Sequence, residues 1–306
     1  MKFWKKRATH NGGILCCQRF SFHLNVLSKN PIQDPLMGVR LRFVSILILV
    51  LTQTLMTSLT YSAQPLSKAT PKMIPKIIPR IIIDPGHGGK DPGACSSHYK
   101  LIEKELVLKI SEKISANLKK KMGAQVLLTR NGDQFIELGA RNRFANKNQC
   151  DLFLSIHANA AANPEAEGIE IYYLNRASDR SSEKLAKREN GRMVIKNEKE
   201  IHAILSDLIQ AAATEESALL AQDVKENFES KLQSVFEIES IKVKTALFYV
   251  LVGAKCPSLL IEVGFITNPQ EAKRLNSEKY QSAFADAVAD AIKNYWENFE
   301  KEGGDL

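Results

Sequence analysis

Apolar and polar positions alternate in blocks from Arg80 to Phe299, with periods that name their elements. Ile81-Ile-Ile83 is an all-apolar run between Pro79 and Asp84-Pro-Gly, the pattern of a strand buried on both faces. From Lys104, apolar residues at Val107, Ile110, Ile114 and Leu118 form a helical stripe that stops at Gly123. Gln125–Thr129 reads as a strand, Ile136–Asn146 as a helix, Asp151–Ile156 and Ile169–Leu174 as strands. A long helical region follows from about Ser181 to Phe236, then strands at Thr245–Leu251 and Ser258–Glu262, and an amphipathic helix from about Glu278 to Phe299. This order predicts an α/β fold: a mixed, mostly parallel sheet flanked by helices on both faces, with a helical insertion over about residues 178–236.

The segment before Arg80 has a different texture. Arg40 and Arg42 precede the apolar stretch Phe43–Leu51, which fades by Leu59 into Thr60-Tyr-Ser-Ala63, the order of a secretory signal. Residues 1–63 are therefore expected to be an N-terminal extension with a signal peptide, and the Pro/Lys-rich residues 64–79 a linker. Export to the periplasm follows, with membrane contact only through a leader left uncleaved. The net charge of +8 belongs to this extension: residues 1–63 hold eight Lys/Arg against Asp34, whereas the remainder holds 34 basic and 33 acidic residues. A body so nearly neutral, without a basic stripe, excludes a nucleic-acid partner. Nothing calls for a second copy, so a monomer is expected. Cys95, Cys150 and Cys256 are an odd set without CxxC spacing; no disulfide framework is expected, and Cys150 and Cys256 read as small buried residues.

Polar residues collect where the apolar strands end. Strand one runs into Asp84-Pro-Gly-His87, strand three into Ser155-Ile-His157-Ala-Asn159, and the last strand into Glu262, while Glu103 opens the first helix. Ligands of open α/β sheets bind at these carboxyl ends. His87, Glu103 and His157 are suitable zinc ligands, and three protein ligands leave a fourth place for water. Glu262 is then the free carboxylate able to carry a proton. Each residue alone has an ordinary role: a turn histidine, a first-turn acid, a core histidine.

At these positions the chain resembles the zinc-dependent N-acetylmuramoyl-L-alanine amidases of the type used in bacterial cell division. The matching segments are Ile82-Ile-Asp-Pro-Gly-His-Gly-Gly-Lys-Asp-Pro-Gly-Ala94, Glu103-Lys-Glu105, Asp151-Leu-Phe-Leu-Ser-Ile-His-Ala-Asn-Ala160 and Pro257-Ser-Leu-Leu-Ile-Glu-Val-Gly-Phe-Ile-Thr-Asn-Pro269. The resemblance covers roughly residues 80–298. It implies zinc (Zn2+) held by His87, Glu103 and His157, Glu262 as the catalytic carboxylate, and peptidoglycan as substrate, cut between N-acetylmuramic acid and L-alanine. It further implies a helical insertion able to cover the metal and moved by an activator protein. Within that insertion Glu189 is a candidate blocking ligand, though a solvated helix charge is the commoner role and the expectation here. Asp84 and Asn159 are candidates to orient the ligands, Arg141 either a binding residue or a helix-surface cation. A rival chemistry is serine acyl transfer at Ser181-Ser-Glu-Lys184, an SxxK pattern without an SDN companion and with Lys244-Thr-Ala246 only a partial match to KTG. A non-catalytic wall-binding regulator is the other alternative.

Overall fold

The computed structural model describes residues 78–96, 99–191 and 212–301. The expected signal peptide, nearly all of the linker and the middle of the insertion lie outside the described residues. Among those described, no helix is long and apolar enough to cross a membrane.

Six strands form one sheet: β1 (Arg80–Pro85), β2 (Gln125–Leu128), β3 (Leu152–Asn159), β4 (Ile169–Leu174), β5 (Ile241–Ala246) and β6 (Ser258–Phe265). Their spatial order is β2-β1-β3-β6-β4-β5. The first four are mutually parallel, β4 runs antiparallel to β6, and β5 is parallel to β4. The sheet is thus mixed and mostly parallel, as the alternation of elements predicts. Every residue of the central strands β3 and β6 is buried, which explains their unbroken apolar runs.

The pleat sends successive side chains to opposite faces, and the two faces have different fates. Ile81, Ile83, Leu154, Ile156, Leu259 and Ile261 enter the larger core, under α1 (Glu103–Met122), α4 (Ala212–Phe228) and α6 (Glu278–Lys301). The predicted stripe of α1 is buried throughout, and its end is set by Gly123 at φ 72°, whose N–H caps the Lys119 carbonyl. Ile82, Phe153, Tyr172 and Leu260 enter a smaller core, with Leu185 and Ala186 of α3 (Arg180–Glu189) and Ala145 of α2 (Leu138–Lys147). On this second face the same strands change character toward one edge: Ile82 gives way to Asp84, Phe153 to Ser155 and His157, Leu260 to Glu262.

Two expectations need correction. The sequence predicts a strand over Thr245–Leu251, but β5 is Ile241–Ala246 and the residues after it fold into turns. Leu251 N–H bonds the Phe248 carbonyl at 3.0 Å and Val252 N–H that of Tyr249 at 3.2 Å. Their apolarity serves the second core, where Phe248, Val250 and Leu251 are buried. Second, Cys150 and Cys256 are joined in a disulfide with a Cα–Cα distance of 6.0 Å. The pairing spans 106 residues and ties the start of β3 to the start of β6, a proximity that spacing in the chain cannot reveal. α5 (Pro269–Leu275) is a short helix capped by Asn268, whose side chain accepts from the N–H groups of Gln270 and Glu271.

Closing a loop of this length restricts the unfolded chain strongly, so Cys150→Ala with Cys256→Ala is expected to cost about 2–5 kcal/mol. Denaturant unfolding of the paired variant checks this; a midpoint equal to that of the oxidised parent contradicts it.

Candidate metal centre and active site

The carboxyl end of β1 enters a tight turn whose backbone is pinned to β3 by Gly86 N–H to the Ile156 carbonyl, 3.0 Å. Gly86 is required there, because a Cβ would lie 2.4 Å from the His157 ring. His87 follows with φ 58°, a left-handed conformation costly for a side-chain-bearing residue. Its Nδ1 lies 2.8 Å from Asp91 Oδ2. That hydrogen bond assigns the ring proton to Nδ1 and turns Nε2, as a free lone pair, into the protein.

Three other side chains meet it. Glu103 Oε1 is 3.1 Å from His87 Nε2 and 3.2 Å from His157 Nδ1. Glu189 Oε2 is 3.3 Å from His87 Nε2 and 3.4 Å from His157 Nδ1. The two imidazoles meet edge to face with centroids 4.9 Å apart. Glu103 is held from behind: Ala158 N–H donates to Oε1 at 2.9 Å and Ala94 N–H to Oε2 at 2.7 Å. The expectation that Glu189 is a solvated helix charge is wrong. It is the last residue of α3, its side chain only 6% exposed, and the second core pulls the helix onto the sheet so that it points inward.

Four of the six separations among these donor atoms have the length that a tetrahedral cation requires. Zinc bonds of 2.0–2.1 Å to N and O imply about 3.3 Å between neighbouring ligand atoms, and the four separations above run from 3.1 to 3.4 Å. His87 Nε2 and Glu189 Oε2 are buried without a hydrogen-bond partner despite these short approaches. The charges agree. Burial would push His87 down, but the charge of Glu103 and contacts with Asp91 and Glu189 lift it to about 12. His157 is likewise opposed by burial and drawn up to about 9 by Glu103 and Glu189. Burial would raise Glu103, yet the imidazoles hold it down to about 2. A divalent ion at this point would take the place of the protons that the two imidazoles otherwise hold.

Glu262 stands beside the cluster, in register with His157 on β3 and with Glu170 on β4. Both its carboxylate oxygens are buried without a partner. Burial drives its pKa well above the carboxylate range, His157 opposing and the charges of Glu189 and Glu103 reinforcing. The register slips just beyond: Asn159 faces Phe265, so β6 bulges at Val263-Gly264 where the site begins.

The family described as N-acetylmuramoyl-L-alanine amidase matches residues 81–294. The chain is 33% identical over 229 residues to N-acetylmuramoyl-L-alanine amidase AmiA of Escherichia coli (strain K12), spanning 72% of this chain and 77% of that one. It is 34% identical over 221 residues to AmiC of Neisseria meningitidis serogroup B, spanning 70% of this chain and 52% of that one. Among solved structures, the N-acetylmuramoyl-L-alanine amidase from Clostridium difficile 630 superposes with a TM-score of 0.56 at 30% identity, covering 72% of this chain and 97% of that one. AmiC2 of Nostoc punctiforme gives 0.53, also at 30% identity, with the same two coverages. The chain belongs to the N-acetylmuramoyl-L-alanine amidase family.

In this amidase two guanidinium groups fasten the His87 turn. Arg141 is not a helix-surface cation: it is buried, donating from Nη1 to Asp84 Oδ1 (2.8 Å) and the Pro85 carbonyl (2.9 Å), and from Nη2 to the His87 carbonyl (2.8 Å). Arg130, which the sequence reading missed, donates to the carbonyls of Pro85, Gly86 and Lys104 at 2.7–2.9 Å. Its signal was its place directly after β2, at the same sheet edge as the other polar residues. Asp91 was missed for another reason: a turn aspartate has no feature that marks it as the partner of His87. Asp84 touches no imidazole and serves by holding Arg141. Asn159 does not contact the donor cluster; it donates to Glu170 Oε2 at 2.9 Å and accepts from Arg188 at 3.2 Å. Ser181 lies in the first turn of α3, donating to the capping residue Asp179 at 2.5 Å and accepting from Lys244 at 2.9 Å. A cleft of about 480 Å³ between Lys90, Phe135–Leu138 and Asn190 reaches His87, His157 and Glu189 from solvent.

Burial would raise the pKa of Asp84, but Arg141 and the hydroxyls of Thr129 and Ser155 outweigh it and hold it below the ordinary value. Its contribution to stability is complete above about pH 4 and is lost as pH falls through the lower folded-state value. Arg141→Ala leaves this carboxylate buried and unpaired, an expected cost of about 3–5 kcal/mol at neutral pH. The deficit should shrink as Asp84 becomes protonated. Urea unfolding between pH 7 and 3 reads both; a deficit under 1 kcal/mol or constant with pH contradicts the assignment.

Proposed function

We propose that this chain is an exported zinc amidase of the bacterial cell wall, hydrolysing the amide between the lactyl group of N-acetylmuramic acid and L-alanine in peptidoglycan. The observation that carries this is the meeting of His87 Nε2, His157 Nδ1 and Glu103 Oε1 at tetrahedral spacing, beside a buried carboxylate with no partner of its own. His87, Glu103 and His157 would hold the zinc. A bound zinc lowers the pKa of its water to about 7 and polarises a carbonyl.

The protein supplies the rest. Asp91 fixes the tautomer of His87, and the N–H groups of Ala94 and Ala158 keep Glu103 ionised and aimed. Glu262 takes the proton of the attacking water on a carboxylate oxygen and returns it to the nitrogen of L-alanine as the C–N bond breaks. Burial suits it to this, because a carboxyl held well above the ordinary carboxylate range accepts a proton more readily. Glu189, whose Oε2 approaches both imidazoles, would take the fourth place on a bound ion and exclude substrate, the arrangement of a resting enzyme. An activator protein that draws α3 away would open the site, as daughter-cell separation requires. The disulfide Cys150–Cys256 supports export, since such bonds persist in the periplasm and not in the cytosol.

Residues 64–306 with zinc are expected to release stem peptides bearing a free L-alanine amine at a low basal rate, read by mass separation of the digest. Glu262→Gln should keep its zinc and lose about 10²–10⁴ in rate, His87→Ala should lose zinc, and Glu189→Ala should raise the basal rate. Cleavage of a sugar–sugar bond, or full activity in Glu262→Gln, would overturn the proposal.

A further inference from the structure

Both ends of α3 lead to one side chain that the reaction does not use. At the start of the helix, Asp179 caps it by accepting from Ser182 N–H at 2.8 Å, and Asp179 Oδ2 is 3.1 Å from Lys244 Nζ. Lys244 also donates to Ser181 Oγ at 2.9 Å and to Glu170 Oε1 at 3.0 Å. At the helix end, Arg188 grips Glu189 Oε1 through Nε at 2.8 Å and Asn159 Oδ1 through Nη2 at 3.2 Å. Asn159 in turn donates to Glu170 Oε2 at 2.9 Å, where Tyr172 OH also donates at 2.8 Å. Glu170 is thus a buried carboxylate on β4 that accepts three hydrogen bonds, from Lys244, Asn159 and Tyr172.

We infer that Glu170 is the clasp that holds α3, and with it Glu189, over the donor cluster. The inference rests on the reading of Glu189 as the group that closes the site. The clasp works by geometry: one oxygen of Glu170 fixes the first turn of α3 through Lys244, the other fixes the last turn through Asn159 and Arg188. A carboxylate acceptor that is largely buried holds its donors more firmly than a neutral one, and losing it leaves them unsatisfied. Other anchors remain. Asn190 bonds the backbone of Leu247 and Tyr249 at 2.7 and 2.8 Å, and Leu185 and Ala186 stay in the second core, so breaking the clasp loosens α3 without unfolding it. The clasp is also reachable: Glu170, Lys244, Ser181 and Arg188 line a cavity of about 770 Å³ beside the helix.

Amide hydrogen exchange on the zinc-supplemented protein tests this without any substrate. Glu170→Gln and Lys244→Met are each expected to speed exchange of the α3 amides about tenfold, the size of losing one charged hydrogen bond, with β1 and β3 unchanged. Equal protection of α3 in parent and variants, or the same loss of protection in β1 and β3, would overturn the clasp. Basal stem-peptide release should rise in Lys244→Met, and not rise further when Glu189→Ala is already present; a lower rate, or a further rise in that background, would also overturn it. If α3 loosens as expected while no variant and no parent releases stem peptide, the clasp stands and the proposed reaction falls.

Discussion

The structure depends on one electrostatic constraint: two imidazoles and two carboxylates are buried together and need positive charge between them. Unpaired charge at such depth costs several kcal/mol per group. The surrounding residues show how narrowly the arrangement is fixed. A glycine at position 86 leaves room for the His157 ring. A histidine is held in a left-handed conformation at position 87. Two guanidinium groups bind the carbonyls of that turn, and two backbone N–H groups aim Glu103. Such supports hold donor atoms in place before an ion arrives.

The two faces of the sheet explain where this pocket sits. One face is apolar along its whole length and carries α1, α4 and α6. The other is apolar only partway, and among the described residues α3 lies over its polar end. The second core therefore has a double role: the apolar contacts that place Leu185 and Ala186 also set Glu189 into the donor cluster. Folding and closure of the site are the same packing event.

Much of this was legible in the sequence. The strand runs, the α1 stripe and its Gly123 stop follow from periodicity, and the strand ends carry His87, His157 and Glu262 at the edge where sites form. What was not legible arises from contacts distant in the chain. The 246–251 run is apolar because it fills a core, and apolarity alone does not distinguish a strand from a buried turn. Cys150 and Cys256 gave no spacing signal because their proximity comes from β3 pairing with β6. Glu189 and Arg141 looked like solvated helix charges because a helix reveals its inward face only through apolar neighbours, and α3 contributes few. Glu170 was hidden in a strand that reads as ordinary alternation.

The most direct test of the shared-ion account is zinc K-edge absorption of the purified protein, compared with Glu189→Ala. The account expects one tightly held zinc with four N/O neighbours at about 2.0–2.1 Å, two of them imidazoles, and in the variant one protein carboxylate replaced by water. A protein that binds no stoichiometric zinc, or a zinc shell with fewer than two imidazoles, would contradict it.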